Sequence, residues 1–304
     1  MYNSEIENMP LEKLRDLQNA RLSSLVKRLY SDVPFYKNQF DSIGLNPNDI
    51  KSVDDLHVIP FTKKTDLRDN YPFKMFAKPM DQIRRIHASS GTTGKSTVVG
   101  YTQNDLDIFD EVTARSLYCA GARKGMKLHN AYGYGLFTGG LGIHGGATRL
   151  GMAVIPVSGG MTERQLTILQ DFKPEVICCT PSYAQTLSDE LIKNGINPKE
   201  LALKYAVLGA EPWTEVIRNQ VEDGLDVKAT NIYGLSEIIG PGVSQEDVKE
   251  RGTGCYIWED HFYPEVVDRD TGVPLPYGEE GVLVITTLTK EAFPLLRYWT
   301  NDIC

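Results

Sequence analysis

Seven consecutive residues, Ser89-Ser90-Gly91-Thr92-Thr93-Gly94-Lys95, concentrate two glycines, four hydroxyls and one lysine. Glycine adopts φ > 0 without steric cost, so such a loop can curl its backbone N–H groups around an anion. The hydroxyls add hydrogen bonds, and the ammonium supplies a point charge able to span two phosphates. This is the chemistry of a polyphosphate loop. The common pattern G-x-x-x-x-G-K-[ST] would demand glycine at position 89, where serine stands, which argues against a phosphoryl-transferring NTPase.

Two later segments qualify the chemistry. Gly209-Ala210-Glu211-Pro212 follows a strand-like run at Tyr205–Leu208, and Thr230-Asn231-Ile232-Tyr233-Gly234-Leu235-Ser236-Glu237 follows another around Val227. Open α/β sheets bind ligands at the carboxyl edge of their strands, where Glu211 and Tyr233 would fall. The three segments, in this order, resemble the motifs of the adenylate-forming enzymes. Pro60–Arg68, Tyr132–Gly140, Trp258–Phe262 and Thr286–Ala292 are more specific, and resemble the phenylacetate–CoA ligase family. The likeness runs from about Tyr71 to the last residue, with Pro60–Arg68 just ahead of it.

The resemblance implies ATP-dependent activation of phenylacetate, or a similar aryl acid, to an acyl-adenylate and then to the coenzyme A thioester. It implies that Ser89, Ser90, Gly91, Thr92, Thr93, Gly94 and Lys95 grip the β- and γ-phosphates, with Thr92 or Thr93 toward Mg²⁺ and Lys95 neutralising the leaving pyrophosphate. Tyr233 and Gly209–Pro212 would take the two faces of adenine, with Asn231, Gly234 and Ser236 beside them. Glu237 would hold Mg²⁺, and Asp302 the ribose hydroxyls. Tyr132, Phe137 and Gly139, together with Gly209, Tyr233 and Gly234, would line the acid pocket. Trp299 and Asn301 depart from the family pattern around Asp302. A small C-terminal domain with a second catalytic lysine, roughly 100 residues in such families, has no counterpart after Asp302, so weak turnover is expected.

The elements needed to position these residues are legible. Residues 1–80 read as helices and loops, with a helix over Leu11–Tyr30. From 81 to 240 strands and helices alternate, as in a mostly parallel sheet covered by helices. Thr102–Asp105 and Thr162–Gln165 read as capping boxes opening two of these helices, and Gly121 and Gly195 as helix stops. Residues 241–304 turn β-rich, with strands at Tyr263–Val267 and Gly281–Thr287 and a small β-barrel-like subdomain expected. The fold class expected is thus α/β, the N-terminal domain of an adenylate-forming enzyme.

Composition sets limits. The 304 residues are 41% hydrophobic and 24% charged, ordinary for a globular protein. A net charge of −8 argues against a nucleic-acid partner. An acidic, polar start and the lack of any run of about 18 apolar residues argue against a secretory signal and a membrane span, and the expected location is the cytoplasm. The five cysteines show no framework spacing, and reduced thiols fit that compartment. Adjacent Cys178 and Cys179 would face opposite sides of a strand and cannot share a metal. Apolar strand edges leave a homodimer open.

Other signals read as structural. Gly140–Gly145 satisfies G-x-G-x-x-G but lacks the clean strand before it and the acid after it, so close backbone packing is expected instead of a dinucleotide site. Cys255 and His261 would make half of a zinc site, too few ligands; local hydrogen bonding is the expectation for His261, and His87 stays undecided. Alternatives are an enzyme that adenylates coenzyme F420, or a non-catalytic ATP-binding module.

Overall fold

The structure is a computed structural model that describes residues 1–89 and 96–304. Ser90, Gly91, Thr92, Thr93, Gly94 and Lys95 lie outside the described residues. In chain order the strands are β1 (Arg85–Ser89), β2 (Thr97–Tyr101), β3 (Lys127–Asn130), β4 (Ala153–Ile155), β5 (Val176–Cys179) and β6 (Tyr205–Gly209). They continue with β7 (Lys228–Leu235), β8 (Gly240–Glu246), β9 (Cys255–Ile257), β10 (Phe262–Val267), β11 (Val282–Thr287) and β12 (Tyr298–Ile303). Two compact units emerge. One comprises Met1–Ser4, Asp107–Leu235 and Ile239–Tyr256, the other Glu5–Leu106, Ser236–Ile238 and Ile257–Cys304.

The first unit is built on the sheet β4-β3-β5-β6-β7-β8-β9. β4, β3, β5, β6 and β7 run parallel, and β8 returns antiparallel beside β7. Every residue of β5 is fully buried, as expected for a strand covered on both faces. Alternation sorts them: Ile177 and Cys179 join one apolar cluster with Ala206 and Leu208, while Val176 and Cys178 join another with Val207. The first cluster is closed by the helices Thr162–Phe172, Pro181–Lys193 and Glu215–Leu225. The second is closed by residues of Gln103–Cys119 and Gly139–Leu150.

Gly139–Leu150 is the segment that satisfies G-x-G-x-x-G, and it is helical. A Cβ at Gly142, Gly145 or Gly146 would run into Phe109, Asp110 or Thr113 of the neighbouring helix. The glycines therefore serve close helix packing, and no dinucleotide loop exists there. The two expected capping boxes part company. Thr102 N donates to Asp105 Oδ2 at 2.9 Å, and Asp105 N to Thr102 Oγ1 at 3.1 Å, a reciprocal cap. The Thr162–Gln165 box is not formed: the helix starts at Thr162 behind a left-handed Met161, without a side-chain cap, and Gln165 turns inward.

In the second unit the N-terminal helices Leu11–Asp32 and Pro34–Ser42 bury Leu22, Leu25, Leu29, Tyr36 and Phe40. β1 and β2 pair antiparallel with Ser89 opposite Thr97, and β10-β11-β12 form a three-stranded antiparallel sheet. Buried Arg297 forks onto Glu265 at 2.9 and 3.0 Å and donates to the carbonyls of His57 and Ile59. Among the described residues no helix is long and apolar enough to cross a membrane.

Candidate active site

The sheet of the first unit has a topological switch point. From β3 the chain moves to β4 on one side, then returns to β5, β6 and β7 on the other. Such a reversal opens a crevice at the carboxyl ends of the two central strands, here β3 and β5. The residues leaving β3 are held by Asn130, whose Nδ2 donates to Tyr134 Oη at 2.7 Å and to the Gly140 carbonyl at 2.9 Å. Its Oδ1 accepts from Tyr132 N at 3.3 Å. The Tyr132 ring packs on Gly139 and is only 9% exposed. Burial pushes its phenol well up, with the Gly209 backbone acting the other way. Phe137, by contrast, is 53% exposed.

The end of β6 needs glycine at 209, since a Cβ there would strike the Ile232 carbonyl. Ala210 follows at φ 72°, a left-handed turn. It delivers Glu211 to the start of the helix Pro181–Lys193, where its carboxylate accepts from Ser182 N at 2.6 Å and meets the positive end of the helix dipole. On β7, Gly234 sits at a bulge and approaches the Gly240 carbonyl too closely for a side chain. Tyr233 and Ser236 are half-buried beside it. Asn231 is fixed by Trp213, whose Nε1 donates to its Oδ1 at 3.2 Å, and by Glu246, which accepts from its N–H at 2.8 Å.

Sequence reasoning missed two devices around this edge. Gln165 Nε2 donates to the carbonyls of Ser158 and Gly160 at 2.7 and 2.9 Å, clamping a loop with left-handed Ser158, Gly160 and Met161. Its Oε1 meets His129 Nε2, and burial lowers that imidazole to about 4, so it is neutral. The other is Arg218, which forks onto buried Glu246 at 2.9 Å through both Nη atoms and donates to Ala229 O. Neither has a local sequence signal; only the polar residue inside an apolar helix face pointed to either.

In the second unit the focus is Glu237, 3% exposed. Its Oε1 accepts from Tyr298 Oη at 3.0 Å and pairs with Lys64 Nζ at 3.3 Å. Lys290 Nζ donates to its backbone carbonyl at 3.2 Å. A hard carboxylate oxygen suits Mg²⁺, which typically takes one or two protein carboxylates and fills its shell with substrate phosphates and water. Among the described residues no group of three or more His, Cys, Asp or Glu could hold a metal ion.

Asp302 lies on β12 next to left-handed Asn301. Trp299 packs edge-on against Phe61 at 4.9 Å and donates to Asn301 Oδ1 at 3.1 Å. His261 is engaged locally, by Asp260 at 3.2 Å and Thr289 at 2.8 Å, and Cys255 Sγ faces the Asn231 carbonyl at 3.9 Å. Buried His87 stands edge-on to Tyr101.

Residues 14–289 match the family model described as AMP-binding enzyme. The chain belongs to that family. It is 68% identical over its whole length to a phenylacetate–coenzyme A ligase of Thermus thermophilus, covering 68% of that protein. It is 53% identical to a phenylacetate–coenzyme A ligase of Aromatoleum evansii, over 98% of this chain and 68% of the relative. Among solved structures, an open conformation of 2-hydroxyisobutyryl-CoA ligase in complex with 2-HIB-AMP and CoA superposes with a TM-score of 0.92 at 26% identity, over 98% of this chain and 71% of that one. The chain is thus an AMP-forming acid–coenzyme A ligase, with ATP and coenzyme A as substrates.

Proposed function

We propose that the acid is phenylacetate or a close aryl analogue, activated as its adenylate and passed to the thiol of coenzyme A. The observation that carries this reading is the high identity, along the whole chain, to phenylacetate–coenzyme A ligases. A carboxylate oxygen attacks the α-phosphorus of ATP and pyrophosphate leaves; the coenzyme A thiol then attacks the acyl carbon and AMP leaves. A carboxylate needs little activation, so the first step depends mainly on alignment and charge stabilisation.

In this reading Ser89–Lys95 hold the phosphates, with Lys95 against the leaving pyrophosphate. Tyr233, Asn231, Gly234, Ser236 and the Gly209–Pro212 turn hold the nucleobase, and Asp302 the ribose. The packed ring of Tyr132, with Phe137 and Gly139, favours a flat aryl group over a polar chain, because such a group gains by burial and edge-to-face contact. Glu237, with Thr92, would hold Mg²⁺, which supplies charge neutralisation at the phosphates.

The test is a thermal-shift titration with Mg²⁺–ATP, phenylacetate, both, and a non-hydrolysable phenylacetyl-adenylate mimic. A ligand at a hundredfold its Kd stabilises by about 2.7 kcal/mol. The mimic is expected to shift Tm well beyond ATP alone. A shift with ATP and none with any aryl acid or the mimic would overturn the aryl assignment.

A further inference from the structure

Lys290, in the segment that follows β11, is 2% exposed. Among the described residues its ammonium donates one hydrogen bond, to the Glu237 carbonyl at 3.2 Å, while its own carbonyl accepts from Arg28 Nη2 at 2.7 Å. The ammonium stands 4.9 Å from the Tyr101 ring centroid and 5.3 Å from that of Phe293. Two carboxylates favour its charge from a distance, Asp105 and Glu237, but burial is the larger influence. Neither is committed to it. Asp105 accepts from the backbone N–H groups of Thr102, Glu291 and Ala292 at 2.6–2.9 Å. Glu237 Oε1 is taken by Lys64 and Tyr298.

A buried cation held this sparsely is a poor stabilising device. Replacing buried charge by apolar side chains of similar volume is often neutral or favourable. What Lys290 does achieve is geometric. Tyr298 fixes the carboxylate of Glu237, and Lys290 fixes the peptide that carries it, so main chain and side chain are restrained independently.

We propose that Lys290 is a positioning residue for Glu237, holding the Ser236–Ile238 segment so that the carboxylate meets the magnesium–nucleotide complex. The inference rests on the reading of Glu237 as the magnesium ligand. Groups that orient a metal ligand typically cost about 10- to 100-fold in affinity or activity when removed.

Lys290→Met, Lys290→Gln and Glu237→Gln would be compared with the parent by Tm and by calorimetric titration of ATP with and without Mg²⁺. Lys290→Met is expected to keep or raise Tm. The Mg²⁺-dependent gain in ATP affinity should fall about 10- to 100-fold, with Mg²⁺-free binding unchanged. A parent-like Mg²⁺ gain would overturn the proposal. Should Lys290→Met lower Tm sharply, Lys290→Gln, titrated below its own Tm, decides by the same criterion. Glu237→Gln separates the two levels. If it too keeps the full Mg²⁺ gain, the reading of Glu237 fails and takes Lys290 with it; if it loses the gain while the Lys290 variants keep it, the positioning role alone fails.

Discussion

Arg218 and Lys290 are both buried cations, yet their surroundings differ in kind. Arg218 is saturated: its fork meets both oxygens of Glu246, its Nη1 also reaches Ala229 O, and its Nε meets Glu215 at 3.0 Å. Glu246 in turn accepts from the backbone of Asn231. Among the described residues the Lys290 ammonium has one hydrogen bond and two ring faces. The planar five-donor fork of arginine suits a site whose purpose is to be closed, and the compact ammonium of lysine a site where one contact matters. One buried charge is closed in by its partners; the other is held by few contacts, one of them to the Glu237 peptide.

The contrast breaks most easily at Arg218. Arg218→Met should destabilise the protein by roughly 3–5 kcal/mol, because it strands Glu246 as an uncompensated buried charge. Urea unfolding measures it, and a stability as little reduced as that expected for Lys290→Met would abolish the distinction. A third buried group, His129, sharpens it by being neutral. Its folded value of about 4 lies below the ordinary 6.5, so the unfolded chain binds the extra proton between those values. Stability should therefore be full above pH 6.5 and fall by on the order of 3 kcal/mol as pH drops toward 4. Unfolding curves at pH 7 and pH 4.5 would show it, and His129→Asn should flatten the difference.

Gln165→Leu comes next. It leaves the Ser158 carbonyl without its Gln165 donor and the Gly160 carbonyl with Tyr183 Oη alone, at a cost of roughly 1–3 kcal/mol. It should also raise KM for the acid more than it lowers kcat, since the clamped loop borders the crevice after β3; unchanged KM would limit Gln165 to stability. The smallest effect is Thr102→Ala, about 1 kcal/mol for a lost helix cap, read from the same urea curves.

Where local periodicity carries the information, the fold was readable. β5, β6 and the helix Pro181–Lys193 lie within a residue or two of their sequence-based bounds, because alternation and the stop at Gly195 are local signals. In the candidate site the glycines at 209 and 234 are fixed by close backbone approaches, a signal any sequence shows only as glycine. What stayed hidden is long-range. Arg218 meets Glu246 across 28 residues, and Lys290 meets Glu237 across 53. Gln165 misled because the pattern Thr-x-x-Gln fits a cap equally well, while the structure spends the amide on a loop carbonyl.

One consequence follows from the strand beside the switch point. An acyl-adenylate is an electrophile made for attack by a thiol, and β5 ends at that edge in two cysteines. Both side chains are fully buried, and burial pushes both thiols up, with Glu211 adding to the effect at Cys179. The thiolate is the competent nucleophile. An activated acyl group formed at this edge would meet these two sulfurs protonated and covered, so that the thiol of the incoming coenzyme stands as the reactive sulfur.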